Sequence, residues 1–221
     1  MKTTLLLRTG AALLSCATWL APAVSEPLLY QAWQLPYPSS WSSVLGEAGE
    51  LAVSGIESPN AYVLLPGGGV RALPSLGLSP RGYGESTVKA LQPNGDAVGA
   101  STYFERGIYR GHRATLWRQG QPVHLGSLGT DAKGNGRSSA ELLNAAGMVA
   151  GNSLPFDATG TRVAYSGSFL WHQGRMVQLA PLATGLPYRL DTTVHALNAH
   201  GWTAGTAGWH DGQRHTSRAV M

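Results

Sequence analysis

The 221-residue chain has a single cysteine, Cys16, and only 13% of its residues are charged. One thiol excludes an internal disulfide, so no disulfide framework holds this fold together. Scarce charge argues against amphipathic helices, which normally need a charged face. Basic residues form no run or stripe, and without Lys2 and Arg8 the basic count falls from 16 to 14 against 12 acids, which gives no footing for a nucleic-acid partner. Enzyme signatures are equally scarce. There is no His-Glu-x-x-His and no glycine-rich phosphate loop ahead of a helix. Gly151-Asn152-Ser153-Leu154-Pro155 begins like a nucleophile elbow and ends in proline. The seven histidines are scattered, so no metal or cofactor is expected. Asp131-Ala132-Lys133-Gly134-Asn135-Gly136 lacks the downstream acid of a calcium loop.

The longest apolar run, within residues 9–20, is too short to span a bilayer. With Lys2 and Arg8 before it and Ala21-Pro22-Ala23 or Ala23-Val24-Ser25 after it, residues 1–25 read as a signal peptide, which implies a secreted or periplasmic protein. Cleavage there removes Cys16. A rival reading takes Leu13-Leu14-Ser15-Cys16 as a lipobox that anchors the chain through Cys16.

Glycine is abundant, at 29 residues, and it is periodic. Leu143-Asn144-Ala145-Ala146-Gly147-Met148-Val149-Ala150-Gly151 recurs as Leu91 to Gly99, as Leu197 to Gly205 and, with Val53 for the last glycine, as Leu45 to Val53. The turn glycines Gly49, Gly95, Gly147 and Gly201 lie 46, 52 and 54 residues apart. Each unit reads as strand A (87–91, 139–143, 193–197), a glycine turn, strand B, strand C and a strand D carrying Leu-x-x-Leu. Trp117-Arg118-Gln119-Gly120 matches Trp171-His172-Gln173-Gly174 at the C–D turn, with Leu65 in the first unit at the place of the Trp. Four short strands at a period near fifty indicate a β-propeller blade, so these tryptophans are expected to pack between blades.

The pattern Leu-Asn-x-x-Gly-x-x-x-Gly, then a strand ending in Leu-Trp-x-x-Gly, then Leu-x-x-Leu-Gly, resembles the HAF repeat of secreted bacterial proteins. His112 to Trp117 and Gly167 to Trp171 carry the resemblance, and Tyr30-x-Ala32-x-x-Leu35 resembles the family's opening strand. The resemblance implies an extracellular, propeller-like repeat protein and names no catalytic residue. The fold expected is all-β and propeller-like: one domain over 26–221 with four four-stranded repeats. Residues 30–35 would supply the leading D strand and close the ring on Arg218-Ala219-Val220-Met221, which aligns with Arg113 to Leu116. An open or truncated array, self-associating through that edge, is the alternative.

In a meander the A–B and C–D turns share one end and the B–C and D–A connections the other. The long variable segments 101–111, 129–137, 154–167, 183–191 and 207–217 are all B–C or D–A, which marks that end as a binding face. It would carry Tyr103, Phe104, Arg106, Tyr109, Arg110, Phe156, Asp157, Arg162, Tyr165, Tyr188, Arg189, Trp209 and His210. Aromatics beside arginines suit a glycan or a surface protein. Lys89, Glu141 and His195, with Ser43, share one strand A position that would face a central channel. The function expected is noncatalytic binding, with a structural role in a surface assembly as the alternative. A hydrolase using loop carboxylates such as Asp131 and Asp157 is the third reading.

Overall fold

A computed structural model describes residues 40–55, 59–180, 182, 191–210 and 215–221. Cα packing divides the chain into residues 1–35 and 36–221, and every described residue belongs to the second unit. The expected signal peptide with Cys16 and the expected leading strand lie outside the described residues.

The described residues form four antiparallel sheets and no helix. The first contains β1 (Ser40–Leu45), β2 (Leu51–Gly55), β3 (Ala61–Leu64) and β4 (Val70–Leu73). The second contains β5 (Ser86–Leu91), β6 (Ala97–Glu105), β7 (Ile108–Arg118) and β8 (Gln121–Gly126). The third contains β9 (Ser138–Leu143), β10 (Val149–Ser153), β11 (Gly167–His172) and β12 (Arg175–Gln178). The fourth has β13 (Thr192–Leu197), β14 (Thr203–His210) and β15 (His215–Val220), without a D strand among the described residues. Each sheet is a meander in chain order, the propeller-like arrangement that the repeats predict.

One turn is used at all four A–B connections. In each, the first residue's N–H bonds to the carbonyl four residues on, and a left-handed glycine donates back to the first residue's carbonyl. The pairs are Gly46/Gly49, Gln92/Gly95, Asn144/Gly147 and Asn198/Gly201, and Ser79/Gly82, Asp131/Gly134 and Asp157/Gly160 reuse the design elsewhere. It is the type I turn with a glycine bulge of three-residue hairpin loops, where a side chain would be strained. The C–D turns of the second and third sheets are two-residue turns with both residues at positive φ: Gln119-Gly120 and Gln173-Gly174.

The second glycine of the repeat has a separate cause. Gly99, Gly151 and Gly205 each sit opposite a β-bulge in strand A, where an added Cβ would collide with the carbonyl oxygen of Thr87, Ser139 or Thr193. The residues bulged out are Lys89, Glu141 and His195. In the first sheet the irregularity falls between Ser40 and Ser42, and Val53 pairs regularly with Ser43. No bulge presses on that position, so a side chain fits.

The core lies between successive sheets. Ala52, Val63 and Leu73 of the first pack against Val88, Leu91 and Trp117 of the second. Val98, Leu116 and Leu125 of the second pack against Ala140, Val149, Phe169 and Trp171 of the third. Trp117 and Trp171 are buried, as blade-packing residues should be. A hydroxyl staple adds direction to this packing. Ser86, Ser138 and Thr192, each opening a strand A, accept the N–H of Ala61, Ala114 and Ser168 in the preceding sheet at 2.7, 2.9 and 2.6 Å. Ser86 and Ser138 also donate to the preceding D strand, at Leu73 and Gly126.

Three assignments change. By register Leu64, paired with Val70 and opposite Leu51, is the counterpart of Trp117, because the first C–D loop is one residue longer; Leu65 lies in that loop. Segment 101–111 is no loop: β6 and β7 run on as a hairpin closed by Arg106-Gly107, with Glu105 opposite Ile108. An αL-αL turn closes the hairpin, and the ladder resumes beyond a register shift between Thr102 and Phe104. Segment 207–217 is likewise largely strand, in β14 and β15.

Candidate functional site

The B–C and D–A end of the molecule is built around Arg113. Its guanidinium is buried, 2% exposed, with no carboxylate within ion-pair distance among the described residues. It donates instead to the backbone carbonyls of Arg110 (2.8 Å), His112 (3.2 Å), Gly134 (3.2 Å) and Gly136, and lies 5.4 Å from the Tyr103 ring centroid. Desolvation lowers its pKa, and the guanidinium remains charged at any ordinary pH. Arg113 thereby clamps the loop at 131–136 onto the hairpin. Tyr103 is sandwiched, its other partner being the His124 ring at 4.9 Å. His124 is held below the usual histidine range by desolvation first and by Arg113 second, although its outer edge meets solvent.

Beyond this anchor the hairpin carries a chain of polar contacts. Tyr109 Oη meets His112 Nδ1 at 3.0 Å, and His112 Nε2 lies 3.5 Å from Glu85. Arg110 pairs with Glu105 at 3.1 Å and reaches the Lys133 carbonyl. Phe104 packs on Tyr109 at 5.6 Å and over Gly77, where an added Cβ would stand a tight 3.3 Å from the Phe104 backbone. Desolvation and then Glu85 raise the Tyr109 pKa, so its phenol stays protonated.

Next around the face comes the B–C connection of the third sheet. Phe156 is half-buried, bonded to the Leu128 carbonyl and bridged to Arg162. Arg162 stacks 4.4 Å from the ring of Tyr165, which is 62% exposed. Tyr165 borders a depression of about 240 Å³ that Arg137, Asn152 and Ser166 also line. On the fourth sheet Arg218 lies 3.8 Å from the Trp209 ring.

The face therefore separates the expected residues into two groups. Tyr103, Phe104 and Phe156 pack their own hairpin or loop, while Tyr109, Arg106 and Tyr165 reach solvent. Tyr188 and Arg189 lie outside the described residues, and so does the side chain of His210. Arg113, His112, Glu85 and Arg137 complete the face; His112 and Arg113 stand in the repeat motif but were not among the expected binding residues, and the nearest sign of Arg137 was that it ends a variable segment.

The loop carboxylates act as turn caps. Asp131 accepts from the N–H groups of Lys133 and Asn135 and from the Asn135 side chain. Asp157 accepts from Thr159 and Thr161. The Asn135 side-chain bond leads in lowering the first pKa and the Thr159 hydroxyl in lowering the second. A general acid for glycoside hydrolysis needs the opposite shift. Asp191 likewise holds the N–H groups of Tyr165 and Ser166.

At the opposite end the four A–B turns surround one opening of about 460 Å³, bordered by Glu47, Asn94, Asn144 and Ala199. Gln92 donates to the Leu143 carbonyl at 2.7 Å and Asn144 to that of Asn198 at 2.8 Å, linking turn to turn. Lys89, Glu141 and His195 make no ion pair with one another. Among the described residues no group of three histidines, cysteines or carboxylates is placed to hold a metal ion, and no helix is long and apolar enough to cross a membrane.

No family model, no curated protein and no solved structure matches the chain.

Proposed function

We propose that this is an exported, noncatalytic repeat protein of the HAF type that binds an acidic glycan on its B–C and D–A face. The observation that carries the reading is the depression between Arg137 and the exposed Tyr165. The exposed Tyr165 ring, which carries Arg162 at 4.4 Å, stands beside a cation with no ion-pair partner among the described residues; Asp131 and Asp157 are committed to their own turns and Asp191 to the N–H groups of Tyr165 and Ser166. Such a pairing suits a sugar ring bearing a carboxylate or sulfate. Export rests on residues 1–25. A glycan array on the protein lacking those residues tests both chemistry and place. Binding to acidic glycans should fall at least about tenfold in Tyr165→Ala and in Arg137→Ala, the loss of one stacking or charged contact; undiminished binding in both variants would remove the site.

A second reading, as an assembly module, follows from the outer edge of β15. That edge is where β4, β8 and β12 pair in the other sheets, and among the described residues nothing pairs there. An open edge recruits another strand. Within the same proposal residues 30–35 fill it and complete a four-bladed ring. Light scattering distinguishes the two: closure gives a monomer, and a start at residue 36 should convert it to concentration-dependent oligomers.

A further inference from the structure

The β6–β7 hairpin runs on past the level at which β10 and β11 part. Ser153 ends β10, whereas its counterpart Ser101 is followed in β6 by residues 102–105, about 14 Å more of antiparallel strand. The connection from the first sheet is fastened along this extension. The Glu85 N–H donates to Thr102 Oγ1 and the Thr102 N–H to the Glu85 carbonyl, both at 2.9 Å. An added Cβ on Gly77 would come within 3.3 Å of the Phe104 backbone, and one on Gly107 within 3.2 Å of Pro80. Residues 79–83 close a turn of their own, with the Ser79 N–H bonded to the Tyr83 carbonyl at 2.8 Å and the Ser79 hydroxyl accepting the Tyr83 N–H at 3.0 Å. Hairpin and connection therefore form one braced projection.

Its exposed side chains are of two kinds. Leu78, Tyr83, Ile108 and Tyr109 are each about half exposed. One such residue on a surface is ordinary, but four on two touching segments make a patch that marks an interaction site. Arg81 and Arg106 are exposed among them, with no ion-pair partner among the described residues. The nearby carboxylates are already engaged, Glu105 by Arg110 at 3.1 Å and Glu85 by His112 at 3.5 Å. The patch is not part of a pocket: the depression at Tyr165 and the opening between the A–B turns include none of these six residues. A small ligand needs a concavity, which argues against one here. A two-fold contact between copies would bring the unpaired arginines of both chains together, which costs like-charge repulsion.

We propose that this projection is a docking tip for an anionic phospholipid bilayer. Leu78 and Ile108 enter the acyl boundary, the amphipathic rings of Tyr83 and Tyr109 lie at headgroup level, and Arg81 and Arg106 meet the lipid phosphates. The Tyr109 hydroxyl keeps its bond to His112 at 3.0 Å, so no polar end of that ring is stranded. The tip does not draw on the glycan reading, whose residues Arg137 and Tyr165 belong to the connections of the third sheet.

The test places an environment-sensitive dye on the tip of the full chain, through Ile108→Cys in a Cys16→Ser background, and titrates it with vesicles. Vesicles of equal parts phosphatidylcholine and phosphatidylglycerol should shift the dye emission to the blue, and phosphatidylcholine alone should not. Added salt should weaken the response. The same dye on Ala145→Cys, at the opening between the A–B turns, should not respond, which separates docking by the tip from binding through the apolar residues 9–20. Arg81→Gln and Arg106→Gln should each weaken the titration about fivefold, the usual worth of one basic residue at an anionic surface. Glutamine keeps the turn, since Gln119 and Gln173 hold the same left-handed place in the matching turns. Leu78→Ser should weaken it at least about fivefold through lost apolar burial. No shift at residue 108, an equal shift on neutral vesicles, or full response in both arginine variants would overturn the proposal. So would a dimer in light scattering without lipid that Leu78→Ser dissolves, because the patch would then belong to a second copy.

Discussion

At the scale of single residues, the glycines carry two different constraints with two different costs. Gly174 has positive φ with open space around it, so Gly174→Ala should cost about 1 kcal/mol, the left-handed penalty alone. Gly151 has ordinary φ but faces the Ser139 carbonyl and the Phe169 ring, so Gly151→Ala forces backbone apart and should cost about 3 kcal/mol. Urea denaturation of the two variants measures the difference. Glu50 offers the reverse case. It is buried, and its Oε2 has no hydrogen-bond partner, whereas the same turn position in the third unit is Met148. Glu50→Met should therefore stabilise the protein by about 1 kcal/mol in the same assay. The glycine spacing was visible in the sequence. The reason for the second glycine was not, because a bulge is a relation between two strands.

At the scale of elements, the staples and capped turns determine how the connections sit. Ser138 satisfies the Ala114 N–H and the Gly126 carbonyl at once, so Ser138→Ala orphans two groups between sheets and should cost about 2 kcal/mol. Thermal unfolding of that variant reads it out. The aspartate-capped turns add a pH dependence. Asp131 and Asp157 have folded pKa values below their ordinary value of 3.8. A depressed carboxylate stabilises above its unfolded pKa, and the benefit fades as pH falls from there through the folded pKa. Amide exchange at Lys133, Asn135, Thr159 and Thr161, corrected for its intrinsic pH dependence, should therefore lose protection below about pH 4. Asp131→Asn should remove that change from its own turn while leaving the Asp157 turn sensitive. Strand order and turn positions were legible beforehand, since alternation and left-handed glycines are local properties. The hairpin extension of β6 and β7 was not: Tyr103 to Tyr109 reads equally well as an aromatic loop until the partner strand is in view.

At the scale of the molecule, the sheets are held by what passes between them. Trp117→Ala should cost about 4 kcal/mol, because it removes the largest buried side chain between the first two sheets and the partner of the Pro74 carbonyl. Equilibrium unfolding of the variant should show the first sheet separating before the others. The binding face was legible only as an end of the molecule. Tyr103 turned inward against Arg113, whose burial among backbone carbonyls no pattern in the sequence announces. Phe104 packed on Tyr109 and Gly77 and Phe156 on its own loop, while Tyr109 and Tyr165 stayed exposed.

The period, the turn glycines and the place of the buried tryptophans followed from the sequence by itself, because each is a local preference repeated at a constant spacing. Only the tertiary structure decided which carboxylates are committed to turns and which aromatics face water. Those outcomes depend on contacts between residues far apart in the chain, and a repeat specifies them only when the neighbouring sheet is in place.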